Sequence, residues 1–180
     1  MPGRFIAVVG PSGVGKDSVM AALAARDPRF VLLQRRITRP QEAGGEDHFA
    51  MTEEAFEQVE SAGGFALSWR AHGLAYGIPM AVDQQLAQGN DVLVNLSRAV
   101  LTQAQARFPR FVVLSLTAPA EVLAQRLAGR GRESAEEITA RLARKGRALP
   151  AGLPVIEIDN SGPLERTVDT ILARLQPERA

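Results

Sequence analysis

A glycine-rich turn near the N-terminus, set between an apolar run and a helical pattern, constrains this chain more than any other stretch. It reads Gly10-Pro11-Ser12-Gly13-Val14-Gly15-Lys16-Asp17-Ser18. Phe5–Val9 ahead of it has the composition of a buried strand, and 18–25 behind it places Val19, Met20, Leu23 and Ala24 at helical spacing. Two glycines separated by four residues and followed by lysine make the spacing of a phosphate-cradling P-loop. Glycine lets the backbone turn tightly and aim N–H groups at a polyphosphate. The helix N-terminus adds partial positive charge, and lysine supplies a compact cation for the β- and γ-phosphates. The whole stretch from Gly10 to Ser18 is therefore expected to bind the phosphates of ATP. Asp17 departs from the usual pattern, in which Ser or Thr ligates magnesium at that position. A carboxylate is also a hard oxygen ligand, so Asp17 is expected to hold Mg²⁺; a plain helix N-terminal acid is the other reading.

The rest of the chain alternates. Strands are expected at 30–33, 91–95 (DVLVN), 111–116 and 155–158. Between them Ser97 caps a helix through Arg107, Pro119 opens one toward Gly129, and 164–175 is helical. Pro79 suits the first position of a helix running to about Gln88. Thr52-Glu53-Glu54 starts another that stops at Gly63-Gly64, ahead of strands at 65–69 and 74–76. Ser134 and Glu137 have capping-box spacing. Strands separated by helices predict an α/β fold, a P-loop NTPase-type parallel sheet flanked by helices. Two polar pieces rich in Arg and Gly, 34–78 and 129–148, read as inserts over one end of that sheet. One domain is expected, its core being about 1–33, 79–128 and 149–180.

Composition narrows the partners. With 180 residues the chain suffices for one well-buried domain, and the absence of cysteine excludes disulfides and thiolate chemistry. The formal net charge of +1 argues against nucleic acid as a partner. No apolar run reaches the roughly 18 residues of a membrane span, and the start MPGRFIAVVG lacks a signal pattern, so no membrane contact and a cytoplasmic location are expected. The cations divide into 19 arginines and two lysines, Lys16 and Lys145. From Arg126 to Arg147 seven cations stand against three carboxylates, a local surplus that suits a small polyanion. The expected assembly is a monomer or a homodimer.

Further motifs carry a resemblance. Arg36-Ile-Thr38-Arg39-Pro40, Gly45-Glu46-Asp47-His48-Phe49, Tyr76-Gly77-Ile78-Pro79, Asp91–Asn95, Arg126-Leu-x-x-Arg130-Gly131 and Asp159-Asn160 together resemble guanylate kinases over nearly the whole chain. The resemblance implies an acceptor-binding insert at 34–78 and a lid at 129–148. It also implies that Asn160 contacts adenine, although a turn before Gly162-Pro163 explains that residue equally well.

The departures point away from guanine. Guanylate kinases read the base with a small hydroxyl residue before Thr-Arg and a Glu before Tyr-Gly-Thr. This chain has Arg35-Arg36 in the first place, and no carboxylate between Glu60 and Asp83. The combination GPSGVGKDS, RRITRP, LSWRAHGLAYGIP, DVLVNLSRA and RGRE is similar to the ribose 1,5-bisphosphate phosphokinases of phosphonate degradation. That family uses ATP to make 5-phosphoribosyl 1-diphosphate, so the same reaction is implied here. A guanylate or other nucleoside monophosphate kinase is the alternative, and a non-enzymatic guanylate-kinase-like interaction module is the rival from another class.

The implied roles follow. Lys16 and Mg²⁺ hold the donor phosphates, and Arg126 belongs to the nucleotide site. Thr38, Arg39, Arg36 and Tyr76 form the acceptor site. Arg126, Arg130, Arg132 and Arg141 close over the transferring group, with Arg132 also reaching the acceptor. Another family arginine is replaced by Gln41-Glu42. Arg35 or Arg36 can substitute, but on a regular strand they point to opposite faces, so at most one reaches the site. Asp47 replaces a phosphate-binding Tyr, with a ribose hydroxyl as its candidate ligand. At the end of DVLVN the family's Glu and Asp give way to Asn95 and Ser97. Trp69 and Phe65 alternate with Leu67 and are expected in the core; His48, His72 and Lys145 receive no assignment.

Overall fold

The first strand, β1 (Phe5–Val9), is buried along its whole length and lies at the middle of a five-stranded sheet. The computed structural model describes residues 2–11, 13–40, 48–128 and 149–175. Ser12, Asp47, Arg130, Arg132, Arg141 and the expected capping box at 134–137 lie outside the described residues.

After β1 come α1 (Lys16–Arg26), β2 (Phe30–Leu32), β3 (Arg36–Ile37), β4 (Phe49–Ala50), α2 (Glu53–Ser61), β5 (Phe65–Ala71) and β6 (Leu74–Pro79). The chain continues through α3 (Val82–Ala87), β7 (Asp91–Asn95), α4 (Leu101–Arg107), β8 (Phe111–Thr117), α5 (Ala120–Ala128), β9 (Val155–Asp159) and α6 (Leu164–Leu175). The main sheet is parallel throughout, in the order β2-β7-β1-β8-β9. A second sheet, β4-β3-β6-β5, is mixed: β3 runs parallel to β4 and antiparallel to β6, and β5–β6 is a hairpin.

Strand alternation divides the core. Ile6 and Val8 face the layer containing Val19, Leu23, Val168 and Ile171 of α1 and α6. Phe5, Ala7 and Val9 face the opposite layer, which holds Val82, Leu101 and Phe108 together with Ile37, Leu67, Trp69, Tyr76 and Ile78 of the second sheet. Phe5 and Phe108 stack with centroids 4.1 Å apart. The second sheet thus shares the apolar layer under one end of the main sheet, which fixes its position over the strand ends.

Two features differ from expectation at Pro79. It ends β6 and does not open a helix; α3 begins at Val82. Proline lacks an N–H, and at a strand end beside the register shift between Phe65 and Leu67 none is needed. The N–H of Met80 resumes the pairing by donating to the Gly64 carbonyl at 3.1 Å. Ser97 caps as expected, its Oγ accepting from the Ala99 N–H at 3.3 Å, but the first turn is a 3₁₀ turn, Arg98–Val100, before α4. Thr52 caps α2 in the same way, accepting from the Ala55 N–H at 3.1 Å.

A charged pair is sealed beneath the opposite end of the main sheet. Arg4 is 1% exposed and Asp91 4%. The Asp91 carboxylate accepts from the Arg4 backbone N–H at 2.8 Å and from its Nη2 at 2.9 Å. Nη1 of Arg4 donates to the carbonyl of Leu175, the last residue of α6, at 3.1 Å. One guanidinium therefore joins the starts of β1 and β7 to the C-terminal helix.

Candidate active site

The glycine turn is built as its sequence requires. Gly13 (φ +84°) and Gly15 (φ +97°) are both left-handed, which an L side chain resists. A Cβ on Gly15 would also lie 2.8 Å from Asn160 Nδ2. Val14 is wholly buried in the α1 layer, so one residue of the loop is an apolar anchor. The Lys16 ammonium arches back and donates to the Gly10 carbonyl at 2.8 Å.

Arg126, in the last turn of α5, donates through Nη1 to the carbonyls of Gly13 and Val14, both at 3.2 Å, and through Nη2 to the Asn160 carbonyl at 2.8 Å. Asn160 Nδ2 donates to the Val14 carbonyl at 2.7 Å, and its Oδ1 accepts from the Thr167 hydroxyl at 2.6 Å. Arg126 and Asn160 are thus committed to the back of the loop. The C=O and N–H of a trans peptide point in opposite directions. Drawing carbonyls toward Arg126 and Asn160 therefore turns the N–H edge of the loop to the other side, where an anion can be cradled. Asp159, one residue earlier, accepts from the Ser161 N–H and hydroxyl, and these bonds hold its carboxyl below the usual carboxylate range.

Between this loop and the second sheet lies a cavity of about 240 Å³. The loop side contributes Gly10 and Lys16; the end of β7 and the turn after it contribute Asn95, Ser97 and Arg98; and the second sheet, with the residue before β3 and the β5–β6 turn, contributes Trp69, Tyr76, Arg35 and His72. Among the described residues three cationic side chains line it, and no carboxylate does. The Tyr76 and Trp69 rings stack at 5.3 Å, and the Arg35 guanidinium lies 5.1 Å from the Tyr76 centroid. Both Trp69 and Arg35 therefore lie against Tyr76 in the cavity wall. Trp69 Nε1 is buried with no hydrogen-bond partner. His72 reaches the cavity because β5–β6 closes through a two-residue turn, His72-Gly73, with both residues at positive φ.

Sequence-assigned residues fall into different places. Lys16 and Tyr76 line the cavity. Of the adjacent pair it is Arg35 that does so; Arg36 stands over the Phe49 ring at 4.6 Å and donates to the Gln34 carbonyl. Arg36 begins β3 and Arg35 lies just ahead of it, and the two side chains go to different places. Arg39 contacts His48 instead: its Nη2 lies 3.4 Å from Nδ1, while Nε2 lies 3.0 Å from the Arg39 carbonyl. The tautomer carrying hydrogen on Nε2 satisfies both contacts. Arg39 Nε is buried without a partner. The Thr38 hydroxyl accepts from the Ala75 N–H at 2.9 Å and extends the β3–β6 pairing. Asp17 and Ser18 are exposed in the first turn of α1.

Arg98 was not singled out from sequence, and Trp69 was assigned only to the core. The available signal was position: Arg98 follows a strand that adjoins β1, at the carboxyl edge of a parallel sheet, where ligands bind. Trp69 belongs both to the core and to the cavity wall.

Glu60 is the last carboxylate ahead of Tyr76, the side on which a guanine reader would stand. It is occupied elsewhere, accepting from Ser68 Oγ at 2.6 Å and from both terminal nitrogens of Arg70 at 2.9 and 2.7 Å. The Arg70 and Ser68 bonds hold its pKa down to about 2. Ser68 and Arg70 alternate with Trp69, so this group lies on the sheet face away from the cavity.

Comparison with known proteins agrees with this geometry. The guanylate kinase family model matches residues 2–151. A ribose 1,5-bisphosphate phosphokinase of Ruegeria sp. (strain TM1040) is 55% identical over 99% of this chain and 94% of its own length. One from Pseudomonas paraeruginosa is 51% identical over 100% of this chain and 99% of its own. Among solved structures, guanylate kinase from Anaplasma phagocytophilum superposes with a TM-score of 0.68 at 20% identity, covering 98% of this chain and 86% of that one, a likeness of fold. A glycine loop with its N–H edge turned outward, a cavity lined among the described residues by three cations and no carboxylate, and full-length identity above one half to such a relative converge: the chain belongs to the guanylate kinase family and, within it, to the ribose 1,5-bisphosphate phosphokinases.

Proposed function

We propose that the chain transfers the γ-phosphoryl group of ATP to the 1-phosphate of ribose 1,5-bisphosphate, releasing ADP and 5-phosphoribosyl 1-diphosphate. The observation that carries this reading is the cavity beside Lys16, lined among the described residues by Arg35 and Arg98 and by no carboxylate. A bisphosphate needs such a surplus of positive charge, whereas guanine needs an acceptor for its ring N–H and amino group. Glu60, tied to Ser68 and Arg70, does not supply one.

The chemistry asks little of a general base. The attacking group is a phosphate oxygen, already anionic at neutral pH; it forms a new P–O bond as the bond to the ADP oxygen breaks. The enzyme must bring two polyanions into line and neutralise the charge between them. Lys16 and the loop N–H groups hold the donor, while Arg126 and Asn160 keep the loop carbonyls turned away. Arg39 and Tyr76 serve the acceptor side. Arg130, Arg132 and Arg141 close over the transferring group in this proposal. A silent interaction module has no use for a lysine held over a phosphate loop.

Mg²⁺ fits the residues present. It prefers one or two carboxylates together with substrate phosphates over a cage made wholly of protein, and Asp17 is an exposed carboxylate beside the loop. Mg²⁺ would be held there and would supply neutralisation of the bridging phosphate charge. Asp17→Ser should then raise the magnesium concentration for half-maximal activity by about tenfold or more. A superimposable magnesium titration would remove Asp17 from this role.

Substrate identity is tested directly. Purified protein is incubated with ATP, magnesium and either ribose 1,5-bisphosphate or GMP, and ADP release is followed. Turnover of the sugar bisphosphate in preference to GMP is expected; turnover of GMP with none of the sugar would overturn the reading.

A further inference from the structure

We infer that Arg98 clamps the non-reacting phosphate of the acceptor and so selects two-phosphate over one-phosphate sugars. The inference rests on the proposed reaction and deepens it. An acceptor with phosphates on C1 and C5 can bring only one of them beside Lys16 and into line with the donor. The other must lie a sugar ring away, inside the same cavity, and requires its own counter-charge.

The cavity supplies that charge from a separate element. Lys16 belongs to the donor loop and bonds the Gly10 carbonyl. Arg98 comes from the turn after β7, whose backbone is fixed on both sides. Asn95 is paired with Val8 of β1, the Leu96 N–H donates to the Val8 carbonyl at 3.3 Å, and Ser97 caps the turn that Arg98 begins. Val100 and Leu101 just beyond are buried in the layer shared with Trp69 and Tyr76. The base of the Arg98 side chain is therefore anchored by the main sheet beneath the second sheet. A guanidinium presents a planar fork that matches a phosphate through paired hydrogen bonds. Arg35, its guanidinium carbon 5.1 Å from the Tyr76 ring centroid, adds a second fork to the cavity wall.

Calorimetry without nucleotide separates this claim from turnover. Ribose 1,5-bisphosphate and ribose 1-phosphate are titrated into wild type, Arg98→Gln and Arg98→Lys, with thermal melts to compare folding. Wild type should bind the bisphosphate more tightly. Arg98→Gln should cut the ratio of the two dissociation constants by about 10- to 100-fold, the loss expected for hydrogen bonds to a charged group. Arg98→Lys should restore part of that ratio. An unchanged ratio in Arg98→Gln, or equal weakening of both ligands, overturns the assignment, as does failure of wild type to distinguish them. If wild type distinguishes the two but fails to phosphorylate the bisphosphate with ATP, the proposed reaction falls while the phosphate clamp stands.

Discussion

Lys16→Met should lower kcat by at least about 10²–10³-fold, the loss typical when one preorganised charge-stabilising donor is removed, while the far-UV spectrum stays that of wild type. The asymmetry follows from what the ammonium touches. It donates to the Gly10 carbonyl at 2.8 Å, a bond that contributes about 1 kcal/mol net to folding. The loop conformation is set by other groups: buried Val14, the left-handed Gly13 and Gly15, and the bonds from Arg126 and Asn160. Removing the charge should therefore leave the cradle standing without the cation that bridges the donor phosphates. Lys16→Arg should not rescue it, because a planar fork is bulkier than a point charge and cannot follow the same arch over Gly10. Retained turnover in the methionine variant would remove Lys16 from its role.

Arg4→Ala should produce the largest loss of stability, about 3–5 kcal/mol, which is the range for breaking a buried ion pair by deleting one partner. The cause is the residue left behind. Asp91 is 4% exposed and would keep a carboxylate stripped of the guanidinium that accompanies it, while the Leu175 carbonyl would lose a donor. At roughly 2–4 °C per kcal/mol for a chain of this size, the melting temperature should fall by on the order of 10 °C. Replacing both partners with apolar residues, Arg4→Met with Asp91→Leu, should recover much of the loss, since no charge is then stranded. A melt of Arg4→Ala within a degree or so of wild type would show that water reaches Asp91.

The parts legible in the sequence were those in which local pattern and final environment agree. The runs at β1, β7 and β8 are apolar because both faces of a central parallel strand are covered, and α6 shows its buried stripe at helical spacing. The glycine turn was legible because its chemistry is local. The two-residue strands β3 and β4 were not, because each exists through a partner distant in sequence. Pro79 misled for a related reason: the same missing N–H suits a helix start and a strand end, and the choice is made by Gly64 across the sheet. Alternation said that Arg35 and Arg36 must separate but not which one faces the phosphate loop. The links from Arg126 and Asn160 to the loop span 113 and 146 residues, and nothing local encodes such a contact.

The reach of Arg4 to Leu175 also bears on how the chain is made. These residues are 171 apart in sequence, so at about 5–20 residues per second roughly 10–30 s of translation separate them. During that interval β1, the middle strand of the main sheet, can find β7 and β8 but not the helix that covers its α1-side face. Ile6 and Val8 can pack against α1 early, but their cover from α6 comes only once residues 164–175 have emerged. The arrival of α6, and not the appearance of the phosphate loop, is what completes this layer.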